Sequence, residues 1–321
     1  MLNVVELVSF ADIKAAADRI APDAVRTPLV PVLHGTDPAR PLWLKPENLQ
    51  PTGAFKLRGA LNAVRSLSPA QRAAGVVTHS SGNHGQALAY GGKLEGVSVV
   101  VVIPKDAPSV KIEACQAHGA QVVLVAPEDR EPRMLQLAEE RGLTTIPPYD
   151  HRDIIAGQGT VGLEIAADLP EVATVLVPVS GGGLLSGVAA AVKALAPDAR
   201  VVGVEPELAA DAWESFRAGE LVRWSVADCN RTIADGLRAQ LSALTFAHVR
   251  EHVDEIVTVS EAQIESAMAW LARNGRVVAE PSGAAATAAY LCADLPPGPT
   301  VAVVSGGNAD PDRYARILAG G

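Results

Sequence analysis

Hydrophobic and polar positions alternate between two textures along the chain. Short runs of mostly β-branched apolar residues at 97–103, 121–125, 174–179, 201–204 and 300–304 are nearly uninterrupted, the pattern of strands covered on both faces. Between them lie Ala-rich stretches that predict helices at 85–94, 111–118, 132–141, 160–167, 184–195, 262–274 and 284–291. Strand–helix alternation of this kind predicts the α/β class with a largely parallel sheet. Gly/Pro-marked breaks near 68–76 and 147–158 predict two domains. Residues 1–75 and 153–321 form the larger, and 76–152, a βαβαβα pattern, the smaller one inserted into it.

Composition narrows the class further. The chain has 321 residues, 48% hydrophobic and 20% charged, enough apolar material for a large core. Aromatics are only 4%, so Ala, Val, Leu and Ile must build that core. The formal net charge of −9, with no basic run, argues against nucleic acid or an anionic membrane as partner. No apolar run reaches the roughly 18 residues of a membrane span. The N-terminus lacks the basic and apolar regions of a signal peptide. Cys115, Cys229 and Cys292 are scattered and odd in number, which predicts free thiols and a cytoplasmic setting.

Candidate chemistry sits in short, unusual segments. PTGAFKLRGA (51–60) sets Lys56 between Phe55 and an Arg-Gly pair. An amine becomes a carbonyl nucleophile when burial or a nearby cation strips its proton. SSGNHG (80–85) places small polar residues before a helix, where free backbone N–H groups attract a carboxylate. SGGG (180–183) lies between a strand and a helix, so its N–H groups can converge on a phosphate. It lacks the GxxxxGKS pattern of a nucleotide P-loop. SGGN (305–308) follows the last strand, with Ser305 first.

Together these segments resemble the fold-type II pyridoxal-phosphate (PLP) enzymes, in particular the serine/threonine dehydratase and serine racemase group. The resemblance runs from about residue 26 to 308. It implies two α/β domains with mostly parallel sheets and the active site between them. It makes Lys56 the covalent anchor of PLP and the catalytic base, with Phe55 against the cofactor ring. It gives Asn83 to the 3′-oxygen, Gly181, Gly182, Gly183 and Leu184 to the phosphate, Ser305 to the pyridine nitrogen and Gly236, in TIADG, to the ring's other face. Ser80, Ser81, Gly82, Asn83 and His84 become the substrate-carboxylate loop, and Ser81 the residue that exchanges a proton opposite the lysine in racemases. One departure stands out: Ala54 occupies a position where the family usually has Ser.

The resemblance further implies β-elimination from a hydroxy amino acid, giving 2-oxobutanoate from L-threonine or pyruvate from L-serine, plus ammonia. Serine racemisation and 3-hydroxyaspartate dehydration are the alternatives on the same scaffold. A non-catalytic PLP-binding homologue is a further alternative, disfavoured by the retained Lys56, Ser81 and Asn83. Arg130 matches a small-domain arginine near the substrate in serine racemases and would pair with a second carboxylate. Glu205, the Ala209 carbonyl and Asp211 match the spacing that holds a divalent cation (Mg²⁺, Mn²⁺ or Ca²⁺) in metal-binding members. A homodimer is expected on the same ground.

Overall fold

The computed structural model describes residues 6–80, 82–105, 107 and 109–320. Ten strands form two sheets: β1 (Val30–Val32), β2 (Leu42–Pro46), β3 (Val76–His79), β4 (Val99–Pro104), β5 (Gln121–Val125), β6 (Thr144–Thr145), β7 (Thr174–Pro178), β8 (Arg200–Pro206), β9 (Glu255–Val259) and β10 (Thr300–Val304). The six-stranded sheet has the order β1-β2-β10-β7-β8-β9, and the four-stranded sheet β5-β4-β3-β6. All pairings are parallel except β1 with β2. The smaller sheet thus comes wholly from one internal segment, and the larger from the chain on both sides of it.

Burial explains the apolar runs. Every residue of β4, β7 and β10 is buried, as expected where helices cover both faces. The helix Lys56–Arg65 packs Ala60, Ala63 and Val64 into the core of the smaller sheet, beside Val76, Val99 and Val101. A chain segment ahead of the inserted unit therefore helps to close that unit's core.

Two helices begin or end away from their expected positions. The helix expected at 160–167 spans Arg152–Asp168. Its glycines, read as breakers, serve close packing, Gly157 on the helix Lys56–Arg65 and Gly159 and Gly162 on the helix Gly183–Leu195. A Cβ on Gly187 would lie 2.3 Å from the Ile155 carbonyl oxygen, so only glycine permits that approach. The helix expected at 262–274 stops at Trp270 and continues as a π turn, Leu271–Gly275.

A buried ion cluster joins β2, the helix Lys56–Arg65 and the helix Arg152–Asp168. Arg58 donates to Glu47 Oε2 at 2.7 Å and to Glu164 Oε1 at 2.7 Å. Lys45 Nζ donates to Glu164 Oε2 at 2.5 Å and to the Thr27 carbonyl at 2.5 Å. Among the described residues, no helix is long and apolar enough to cross a membrane.

Candidate active site

Parallel strands bring their carboxyl ends to one edge, where ligands of α/β sheets bind. Here those ends deliver β10 to Ser305, β7 to Ser180 and β3 to Ser80. The lysine turn is fastened to the segment after β10. Phe55 N donates to the Ser305 carbonyl at 3.0 Å, Gly307 N donates to the Gly53 carbonyl at 2.9 Å, and Ala54 bridges Gly306.

Lys56 opens its helix and is half-buried. Its Nζ donates to the Pro148 carbonyl at 2.8 Å and lies 5.1 Å from the Phe55 ring centroid. No carboxylate pairs with it among the described residues. Burial alone lowers its pKa to about 8. At neutral pH about a tenth of such amines is unprotonated, several-hundred-fold more than for an ordinary lysine.

Asn83 opens the next helix, Asn83–Glu95, and Gly82 supplies no side-chain cap. The first-turn N–H groups therefore face outward without intrahelical partners. Asn83 Nδ2 donates to Glu280 Oε1 at 2.6 Å, and its Oδ1 accepts from Asn308 Nδ2 at 2.8 Å. The His84 side chain is turned into the protein. It is buried, its Nε2 sits 3.0 Å from the Ile146 carbonyl oxygen, and desolvation lowers its pKa to about 3. What His84 offers a carboxylate is its backbone N–H. Ser80 Oγ accepts from Gly82 N at 3.2 Å, shaping the loop; Ser81 lies outside the described residues.

The glycine loop is braced by Ser180 Oγ, which accepts from Ala239 N at 2.9 Å and donates to its carbonyl at 3.1 Å. Gly182 has φ +86°, and a Cβ on Gly181 would lie 2.4 Å from the Tyr149 ring. Leu184 is buried in the core of the larger sheet, leaving its N–H as its contribution. Gly236 N donates to Ser282 Oγ at 2.9 Å, and Ser305 is buried with its Oγ 3.5 Å from the Ser282 carbonyl oxygen. At the centre, a Cβ on Gly306 would meet Glu280 Oε1 at 2.3 Å, Ala54 Cβ at 3.2 Å and Asn83 Nδ2 at 3.2 Å. The lysine turn, the Asn83 helix and the loop after β10 thus converge on one residue.

A family profile described as "Pyridoxal-phosphate dependent enzyme" matches residues 20–306. The chain belongs to this family of PLP-dependent enzymes. It is 42% identical over 318 residues to an L-threo-3-hydroxyaspartate ammonia-lyase of Saccharomyces cerevisiae, covering 97% of each chain. Maize serine racemase superposes with a TM-score of 0.92 at 38% identity, covering 98% of each chain. The T.th. threonine deaminase superposes with a TM-score of 0.89 at 42% identity, covering 94% of this chain and 99% of that one.

The residues present suit PLP: an uncompensated amine and two helix starts with open N–H groups. The remaining expected residues lie farther out. Arg130 opens the helix Arg130–Arg141 after β5 and spends its Nε on the Pro127 carbonyl, at 2.9 Å. Burial lowers the pKa of His79, at the end of β3; Glu131 opposes the shift and Arg130 adds to it. Glu205, near the end of β8, and Asp211, at the start of the helix Asp211–Ala218, are both buried. Glu205 accepts from Ala212 N at 3.0 Å and Trp213 N at 2.8 Å, while Asp211 Oδ2 has no partner among the described residues. Burial raises both pKa values, that of Asp211 to about 7. Among the described residues no three His, Cys, Asp or Glu side chains gather as a metal site.

Sequence reasoning passed over Tyr149, the Pro148 carbonyl and the Glu280 carboxylate. A Pro-Pro-Tyr step after Thr145-Ile146 offers little signal for the first two. Glu280 sits in an EPSG segment (280–283), where only the fold shows that its carboxylate meets Asn83.

Proposed function

We propose that this PLP-dependent enzyme is an ammonia-lyase that removes water from a β-hydroxy amino acid, L-threonine or L-serine, leaving an oxo acid and ammonia. The observation that carries the reading is Lys56, a half-buried amine held by a neutral carbonyl, with no carboxylate against it among the described residues. PLP, when bound, supplies the electron sink for the carbanion at Cα.

The chain's own groups do the rest. The N–H groups of residues 181–184 and the helix dipole behind them hold the phosphate dianion. Asn83 donates to the phenolic oxygen. Ser305 offers the pyridine nitrogen a neutral hydroxyl rather than a carboxylate, so the nitrogen is not held charged. The start of the Asn83–Glu95 helix receives the substrate carboxylate. Lys56 Nζ takes the Cα proton as general base. Ser81 is assigned to proton exchange on the opposite face, the feature that leaves racemisation open.

A second reading, 3-hydroxyaspartate as substrate, is favoured by Arg130. Its guanidinium keeps its Nη atoms free of partners among the described residues, at the same sheet edge as Ser80. The S. cerevisiae relative is named for that substrate. We also assign Glu205, the Ala209 carbonyl and Asp211 to a divalent cation, which would neutralise two buried acids and keep waters for its other positions. A homodimer completes the proposal.

The test is turnover with PLP on L-threonine, L-serine, D-serine and the 3-hydroxyaspartate isomers, assaying oxo acid and inverted amino acid. Rapid 2-oxobutanoate from L-threonine supports the main reading. Preference for hydroxyaspartate moves the assignment to the second. No product from a PLP-loaded protein would overturn both.

A further inference from the structure

Asn83 is gripped from both ends of its amide. Nδ2 donates to Glu280 Oε1 at 2.6 Å, and Oδ1 accepts from Asn308 Nδ2 at 2.8 Å. Asn308 is fixed in turn, because the same Nδ2 donates to the Thr52 carbonyl at 2.9 Å. An ionised carboxylate only accepts, and an amide NH₂ only donates. With Glu280 ionised, one of the two amide orientations of Asn83 satisfies both neighbours, and the flipped one opposes like with like at each end. In the satisfied orientation Asn83 still has a second N–H to give.

Glu280 is itself immobilised. It is buried, its N donates to the Gly306 carbonyl at 3.1 Å, and its Oε1 lies against Gly306, where a Cβ would come within 2.3 Å. It makes no ion pair among the described residues. A carboxylate in such a place costs solvation, and burial first, then Asp235, raises its pKa to about 7. A purely structural position would be filled better by an apolar or amide side chain.

We propose that Glu280 is a positioning residue: its carboxylate sets the amide of Asn83 so that an N–H, not the carbonyl oxygen, meets the phenolic oxygen of PLP. This rests on the assignment of Asn83 to the cofactor. Gln at 280 has its own NH₂ to offer, which removes the bias and lets Asn83 turn its oxygen toward the phenolic oxygen.

The experiment compares Glu280→Gln, Glu280→Asp, Asn83→Ala and the Gln/Ala double variant, each with PLP. It reads the visible absorption of bound cofactor, the PLP dissociation constant and apoenzyme melting. Glu280→Gln is expected to shift the band and weaken PLP about ten-fold, as Asn83→Ala does, with little change in melting. The double variant is expected to be no worse than Asn83→Ala alone, and Glu280→Asp to recover part of the shift. An unshifted band and unchanged affinity in Glu280→Gln, or losses that add in the double variant, would overturn the inference and leave the proposed function standing. A wild-type protein that takes up no PLP would overturn both.

Discussion

Lys45 and Lys56 lie close in sequence, and both amines are drawn into the protein. Their surroundings differ in kind. Lys45 is fully buried against Glu164, with Glu47 and Arg58 beside it, so its cluster is compensated from within. Among the described residues, Lys56 Nζ meets the Pro148 carbonyl and the Phe55 ring and pairs with no carboxylate. The acids divide in the same way. Glu47 is held by Arg58 and Thr27, and its pKa stays below the usual range although burial opposes this. Glu205, Asp211 and Glu280 make no ion pair among the described residues, and burial raises their pKa values. Charge that the chain neutralises itself belongs to the scaffold. Charge that it leaves open marks places prepared for something else.

Substitutions on each side of this divide should fail differently. Lys56→Ala is expected to lower oxo-acid formation by about 10⁴-fold, while the apoenzyme melts within about 2 °C of wild type, because an uncompensated amine contributes little to stability. Glu47→Ala is expected to do the reverse. It strands Arg58 and should cost about 3–5 kcal/mol in urea unfolding, with the cofactor's absorption unchanged in the folded fraction. Mg²⁺ added to chelated enzyme should raise the melting temperature by about 5 °C, and Asp211→Asn should abolish that response. Arg130→Ala should lower kcat/KM for 3-hydroxyaspartate about ten-fold more than for threonine, if the second carboxylate is read there. An equal loss on both substrates would return Arg130 to the surface.

The pH dependence sharpens the lysine half of the comparison. Only the neutral amine attacks the cofactor's aldehyde, so the rate of PLP uptake should rise with pH and reach half its maximum near pH 8, where burial has placed Lys56. An ordinary lysine would still be accelerating well above that.

Much of this was legible in the chain. The run at 300–304 coincides with β10, buried at every residue as its unbroken apolar pattern predicts; the run at 121–125 coincides with β5, but this edge strand leaves Gln121 and Leu124 exposed instead of being covered on both faces. Lys56, Asn83, the glycine loop and Ser305 stood out because their small or polar types break the surrounding pattern. β2 was hidden because a buried lysine interrupts its apolar run, and only its distant partner Glu164 explains it. The first half of the helix Arg152–Asp168 was hidden because its glycines answer to neighbouring helices rather than to local propensity. Glu280 and Asn308 were hidden for the same reason: they meet Asn83 across 197 and 225 residues of sequence, and only the fold joins them.

The central claim is that Lys56 is left open to carry the cofactor, whereas Lys45 is not. Protein loaded with PLP and reduced with borohydride, then digested and mapped by mass spectrometry, tests this directly. The account predicts pyridoxyl label on the peptide containing Lys56 and none on the peptide containing Lys45 alone. Label on another lysine, or no retained label from a yellow protein, would contradict it.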